Sequence, residues 1–253
     1  MLFSEIDKVI TDQTEEMIGF LRKLVACRLP STDESEGDNA QEIVESFLKD
    51  LGFSVTRDEP IKITEDDRLN YGSRYSVVGL LKGKGDGKSI AINSHADVVG
   101  VGDIDRWEHD PRGCEIVDGK IYGRGVVDAR GCLTAYLFAL KALIDSGVSF
   151  NGDIVFQSVG DEEILGKGSE KLVKEGYTAD AVLVGEPTSL DFCPATRGAG
   201  QFIIDVYGRT THSGVAYEGE NAILKAMLII EALQSMQYRL DKEHMHVLWE
   251  NYP

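Results

Sequence analysis

Six acidic or imidazole side chains in this 253-residue chain have the types and placement of a metal site. They are His95 and Asp97 in "NSHADVVG", Asp128 in "YGRGVVDARG", Glu162 and Glu163 in "VGDEEILG", and Glu186 in "LVGEPTS". Five of them follow runs rich in Val, Ile and Leu, where a buried strand would end. Asp128 instead closes a glycine-rich approach and opens a long apolar helix. His95 and Asp97 are two apart and share one side of a strand. Asp97 is therefore placed to accept the second ring N–H of a metal-bound His95. The pair alone also fits a satisfied histidine beside a strand-end acid. Asp128 can bridge two cations with its two oxygens, its glycines allowing close approach, and it can equally cap the helix that follows. Glu162 and Glu163 point in different directions on strand geometry, so one can bind metal while the other acts as general base. A solvated acidic turn including Asp161 is the plainer alternative. Glu186 ends an apolar run and needs a partner there, either a metal or a basic side chain. Oxygen-rich donor sets with one or two histidines suit zinc, cobalt or manganese. Two such ions about 3.5–4 Å apart activate water for hydrolysis.

The elements that must hold these groups are legible as pattern. Two helices are expected over residues 3–25 and 38–51, the second capped by Asp38 or Asn39 and ended by Gly52. Strands are expected in "FSVTRDE", "YSVVGLLKG" and "SIAINSHADVV", the last two joined as a hairpin through "KGKGDGK". A loop-rich stretch leads to Asp128 and the apolar helix "CLTAYLFALKALIDSG". The strand "GDIVFQSVGDEE", the helix "KGSEKLVKEG" and the strand "ADAVLVGEP" follow. Strand and helix alternate from about residue 87 to 187, and the strands are near-continuous apolar runs. That pattern implies an α/β, three-layer open sheet covered on both faces. Ligands of such sheets bind outside the carboxyl ends of the strands, where His95, Asp97, Glu162, Glu163 and Glu186 fall. After residue 196 the pattern changes. "GAGQFIIDVYGRTTHSG" reads as an alternating strand and "ENAILKAMLIIEALQSMQYRL" as a long helix. The expected division is a catalytic domain over 1–196 and the start of a smaller α+β domain over 197–253.

Bulk properties narrow the function classes. The net charge of −17 repels phosphate backbones and argues against nucleic-acid partners and against a basic membrane-binding face. The N-terminus is an amphipathic helix pattern without the cationic start of a signal peptide, and no stretch has the roughly 20 apolar residues of a membrane span. Cys27, Cys114, Cys132 and Cys193 are dispersed, as reduced thiols of a cytoplasmic protein would be.

Together, "SHADVV", "GRGVVDARG", "VGDEE", "VGEPT" and "RTTHSG…NAI" resemble the di-zinc amidohydrolases that include acetylornithine deacetylase, succinyl-diaminopimelate desuccinylase, aminoacylase and glutamate carboxypeptidase. The resemblance runs from about residue 15 to the last residue and is nearest to the deacetylase and desuccinylase branch. It implies that His95, Asp128 and Glu186 hold one zinc or cobalt ion, and that Asp128 bridges to a second ion also bound by Glu163. It implies Asp97 as the group orienting His95 and Glu162 as general base on a metal-bound water. His212 in "THSG" is implied to reach across a homodimer, formed through the smaller lid domain, and steady the oxyanion. Arg197 and Asn221 match positions near the substrate carboxylate. The implied reaction is hydrolysis of a small N-acyl amino acid of the acetylornithine or succinyl-diaminopimelate type. The rivals are a dipeptidase or aminopeptidase of the same family, and a silent homologue acting through dimerisation. Two departures stand out. The family's usual "DMKG" is "DARG" here, which keeps the Asp and the Gly. The family's last zinc ligand is a late histidine, and none of His95, His109, His212, His244 and His246 has its context. The expectation is therefore a chain holding part of the site, with about one zinc of the complete enzyme's two and weak or no turnover.

Overall fold

The computed structural model describes residues 2–27, 40–58, 75–193, 195–196, 198, 200 and 202–243. These fall into two compact units, 1–198 and 199–253. The first is built on a five-stranded mixed sheet. Its strands are β1 (Ser54–Asp58), β2 (Ser76–Leu81), β3 (Ile90–His95), β6 (Ile154–Val159) and β7 (Ala181–Val184), in the order β1-β2-β6-β3-β7. β3 runs parallel to both β6 and β7, whereas β2 is antiparallel to β1 and β6. A short antiparallel pair, β4 (Glu115–Val117) and β5 (Lys120–Tyr122), stands apart.

Period-two alternation sends successive strand residues to opposite faces. Val77, Ile92, Ile154 and Phe156 join one core with α2 (Thr14–Ala26), α3 (Ala40–Asp50) and α4 (Arg130–Asp145). Phe20, Phe47 and Phe138, one from each helix, pack with ring centroids 4.8–5.7 Å apart. Val78, Ala91, Val155 and Val159 turn the other way, onto Leu172 of α6 (Lys167–Lys174). Helices thus cover both faces of the α/β sheet at β2, β3 and β6, giving the three expected layers there, whereas β7 is exposed along its length.

Three local expectations change. The first helix is two: α1 (Leu2–Asp12) and α2 break at Gln13. The second appears as α3, ended by Gly52 at φ 88° with the Gly52 and Phe53 amides bonded back to Lys49 and Leu48; the cap positions Asp38 and Asn39 lie outside the described residues. β2 and β3 do not form a hairpin, because β6 lies between them. The glycine-rich segment instead lies against residues 150–153 at the start of β6. The Gly85 and Gly87 amides donate to the Asn151 carbonyl, and a Cβ on Gly83 would stand 2.5 Å from that oxygen.

In the second unit the expected strand is absent from the described residues. Only an isolated bridge between Arg209 and Glu220 forms, and Phe202, Ile203 and Ile204 are exposed with no described strand beside them. The long helix is present as α7 (Ala222–Glu243). Among the described residues no helix is long and apolar enough to cross a membrane, and the four cysteines form no disulfide.

Candidate metal centre

His95 is the last residue of β3 and is fully buried. Its Nδ1 lies 2.8 Å from the Asp97 carbonyl oxygen. A carbonyl only accepts, so Nδ1 carries the proton and Nε2 is left as the ligating atom. Asp128 Oδ1 is 2.9 Å from Nε2, Glu162 Oε2 3.7 Å and Glu186 Oε1 3.8 Å.

Each acid is delivered by a different device. Asp128 stands just before α4, which is capped at Ala129 without a side-chain bond, so Asp128 is not the helix cap. The Asp128–Ala129 peptide is cis. The turn that carries Asp128 is held tight by glycine: the Gly131 amide donates to the Gly125 carbonyl, and a Cβ on Gly131 would fall 1.9 Å from the Val126 carbonyl oxygen. Glu162 and Glu163 open α5 (Glu162–Leu165), separated from β6 by Gly160 and by Asp161, which turns the chain at φ 61°. Their side chains diverge by the helical step of about 100° and not by strand alternation. Glu186 follows β7. The Gly185 amide donates to the Asn93 carbonyl at 2.7 Å, and the Ser94 hydroxyl donates to the Gly185 carbonyl at 3.0 Å, tying the approach to Glu186 onto the approach to His95.

Asp97 works differently from the expectation. Its carbonyl, not its carboxylate, makes the short contact to His95, and the carboxylate is 3.6 Å from Nδ1. The two carboxylate oxygens accept from the Glu162 and Glu163 amides, each at 3.3 Å. A buried anion at the start of α5 is favoured by the helix dipole. Asp97 therefore links the imidazole to the backbone of both glutamates.

The electrostatics are those of a site short of positive charge. Burial pushes the Glu186 carboxyl up to about 7; the His95 charge opposes this, and Glu162, Asp128 and Glu163 add to it. Burial raises Glu163 as well, with Asp128 adding to the effect. Burial pulls His95 down, but the charges of Asp97 and Glu186 and the bonds to Asp97 and Asp128 outweigh it, leaving the imidazole above its ordinary value. Two groups have ligand atoms mutually within 4.8 Å: His95, Glu162 and Glu186, and His95, Asp128 and Glu163. Mixed imidazole and carboxylate donors of this kind suit zinc, cobalt or manganese, and a divalent cation would turn the carboxylates' mutual repulsion into shared attraction. The residues present fit a metal.

The structure brings His95, Asp97, Asp128, Glu162, Glu163 and Glu186 together. His212 and Asn221 belong to the second unit. His212 Nδ1 accepts the Gly214 amide at 3.0 Å, which places the neutral ring's proton on Nε2. Asn221 Oδ1 caps α7 by accepting the Ile223 and Leu224 amides. Arg197, His244 and His246 lie outside the described residues.

A family model described as Peptidase family M20/M25/M40 matches residues 91–246, so the chain belongs to that peptidase family. More particularly, it is 30% identical over 251 residues to N-formyl-4-amino-5-aminomethyl-2-methylpyrimidine deformylase of Halalkalibacterium halodurans, covering 93% of this chain and 55% of that protein. It is 32% identical over 216 residues to a probable succinyl-diaminopimelate desuccinylase of Staphylococcus epidermidis, covering 83% of this chain and 50% of that protein. Human carnosine dipeptidase 1 has the same fold, with a TM-score of 0.62 at 22% identity over 74% of this chain and 41% of its own. The chain spans about half the length of the curated relatives it matches.

Proposed function

We propose that this chain carries the metal-binding part of a hydrolase that removes the acyl group from a small N-acyl amine, an N-acyl amino acid of the acetylornithine or succinyl-diaminopimelate type. One observation carries the reading: Asp128, Glu162, Glu163 and Glu186 come from three separate segments onto the single buried imidazole of His95. The two relatives named above support the reaction class, since a deformylase and a desuccinylase both take an acyl group off nitrogen.

His95, Asp128 and Glu186 would hold one ion, and Asp128 with Glu163 would contribute to a second. When bound, zinc or cobalt supplies Lewis acidity and lowers the pKa of water. Glu162 takes a proton from the attacking water and delivers it to the leaving nitrogen. The water O–H and amide C–N bonds break, C–O and N–H bonds form, and a carboxylic acid and an amine leave. Asp97 holds the Glu162 amide and the His95 ring in one frame. His212, donating from Nε2, steadies the oxyanion from the partner of a homodimer. Arg197 and the Nδ2 donor of Asn221 meet the substrate carboxylate. We place the reaction in the cytoplasm, a reading that the four free cysteines support.

The test is amine release from N-acetylornithine, N-succinyl-diaminopimelate, an N-formyl amine and dipeptides, in the presence of Zn2+ or Co2+. Turnover by this chain is expected to be weak and to favour N-acyl substrates, and Glu162→Gln is expected to remove it while metal is retained. Preference for dipeptides, or full turnover by Glu162→Gln, would contradict the proposal.

A further inference from the structure

The largest fully buried side chain among the described residues is a charged one, Arg130, at the first turn of α4. Its Nε donates to the Ala96 carbonyl at 2.8 Å, and its Nη1 donates to the Leu24 carbonyl and, at 3.3 Å, to the Cys27 carbonyl. These acceptors belong to two distant segments. Ala96 sits between His95 and Asp97. Leu24 and Cys27 lie at the end of α2, where the Leu24 carbonyl also accepts the Cys27 amide at 3.1 Å and the helix dipole is negative. Arg130 itself is two residues from Asp128. One guanidinium therefore ties the His95–Asp97 loop and the Asp128 turn to a single fixed point, the C-terminus of α2. The side-chain stem is enclosed too: a Cβ on Gly125 would stand 3.3 Å from Arg130 Cδ and 2.6 Å from Val98 Cγ1.

Burying a guanidinium is costly, and an apolar residue of similar volume often serves stability as well or better. A planar fork that can reach acceptors on separate elements does what an apolar side chain cannot. We propose that Arg130 is a positioning residue for the metal centre, setting the separation of His95 and Asp97 from Asp128, and that α2 is thereby part of the site's support. The role rests on the metal-binding reading above.

The test compares the wild-type chain with Arg130→Met and Arg130→Lys. Co2+ affinity is followed by visible absorption, beside thermal unfolding without metal. Loss of affinity is expected in the order wild type, Arg130→Lys, Arg130→Met, reaching about tenfold or more in the last, as for other groups that orient metal ligands. If Arg130→Met does not fold, Arg130→Lys carries the test, with a loss of about threefold expected as its ammonium reaches fewer of the three carbonyls. Folded variants with wild-type affinity overturn the positioning role, whatever their unfolding temperatures. Failure of both variants to fold overturns it also, since the guanidinium would then be a requirement of the fold and not of the site. A wild-type chain that takes up no Co2+ overturns the metal reading and this role with it.

Discussion

β3 and β7 lie side by side, run parallel, and each leads into a candidate ligand, His95 and Glu186. They differ in everything around that ligand. β3 is flanked by β6 and β7 and packs against α4, with Ala91 and Ile92 buried and His95 wholly enclosed. In β7, Val182, Leu183 and Val184 are all exposed, and the Glu186 side chain is 36% exposed. Similar apolar runs, each followed by a candidate ligand, thus build one enclosed and one open side of the same site. The enclosed side fixes a ring and its tautomer through the Asp97 carbonyl. The open side supplies a carboxylate whose burial and acidic neighbours have already raised it toward neutrality.

The contrast predicts unequal responses. The largest concerns stability. Phe156→Ala, in the core strand beside β3, should cost about 3–5 kcal/mol in urea unfolding, whereas Val184→Ala on β7 should cost less than about 0.5 kcal/mol. Equal losses would break the comparison. Next, His95→Ala should reduce Zn2+ or Co2+ affinity by more than about 100-fold, and Glu186→Gln by about tenfold, since outer partners alone account for 10–100-fold effects. The reverse order would place the anchoring ligand on β7. Asp97→Asn should follow, with affinity down by up to about tenfold, because the amide keeps only one of the two oxygens that accept the Glu162 and Glu163 N–H groups. Unfolding of this variant should move little if the role is positional. Smallest is Ser94→Ala, which removes the bond to the Gly185 carbonyl and should cost about 1 kcal/mol. It should weaken metal binding only a few-fold while leaving the His95 tautomer, read by nitrogen chemical shifts, unchanged.

The strands and the gathering of the candidate ligands were legible because they depend on local signals: apolar runs, a following acid, and glycines before Asp128. Neighbour order was not. "KGKGDGK" satisfies the local chemistry of a hairpin, but its glycines serve close approach to residues 151–152, which lie far off in sequence. The pattern of "GAGQFIIDVYGRTTHSG" is a strand signal, yet a strand forms only where another offers hydrogen-bond partners. Asp97 was found by spacing, while its use was not: adjacency to His95 suggested a carboxylate contact, and the fold sends that carboxylate to two amides 65 and 66 residues away. Arg130 was visible only as a departure from a motif. A charged residue at the start of an apolar helix ordinarily reads as solvated, and its burial follows from where α2 ends.

The proposed metal reading rests on His95 as the anchor of a divalent cation among these carboxylates. Its most direct test is the zinc content of the purified chain after dialysis against metal-free buffer, beside that of His95→Ala. About one zinc per chain is expected in the wild type and almost none in the variant. A wild-type chain that retains no zinc, or a variant that retains as much as the wild type, would exclude His95 as the anchor.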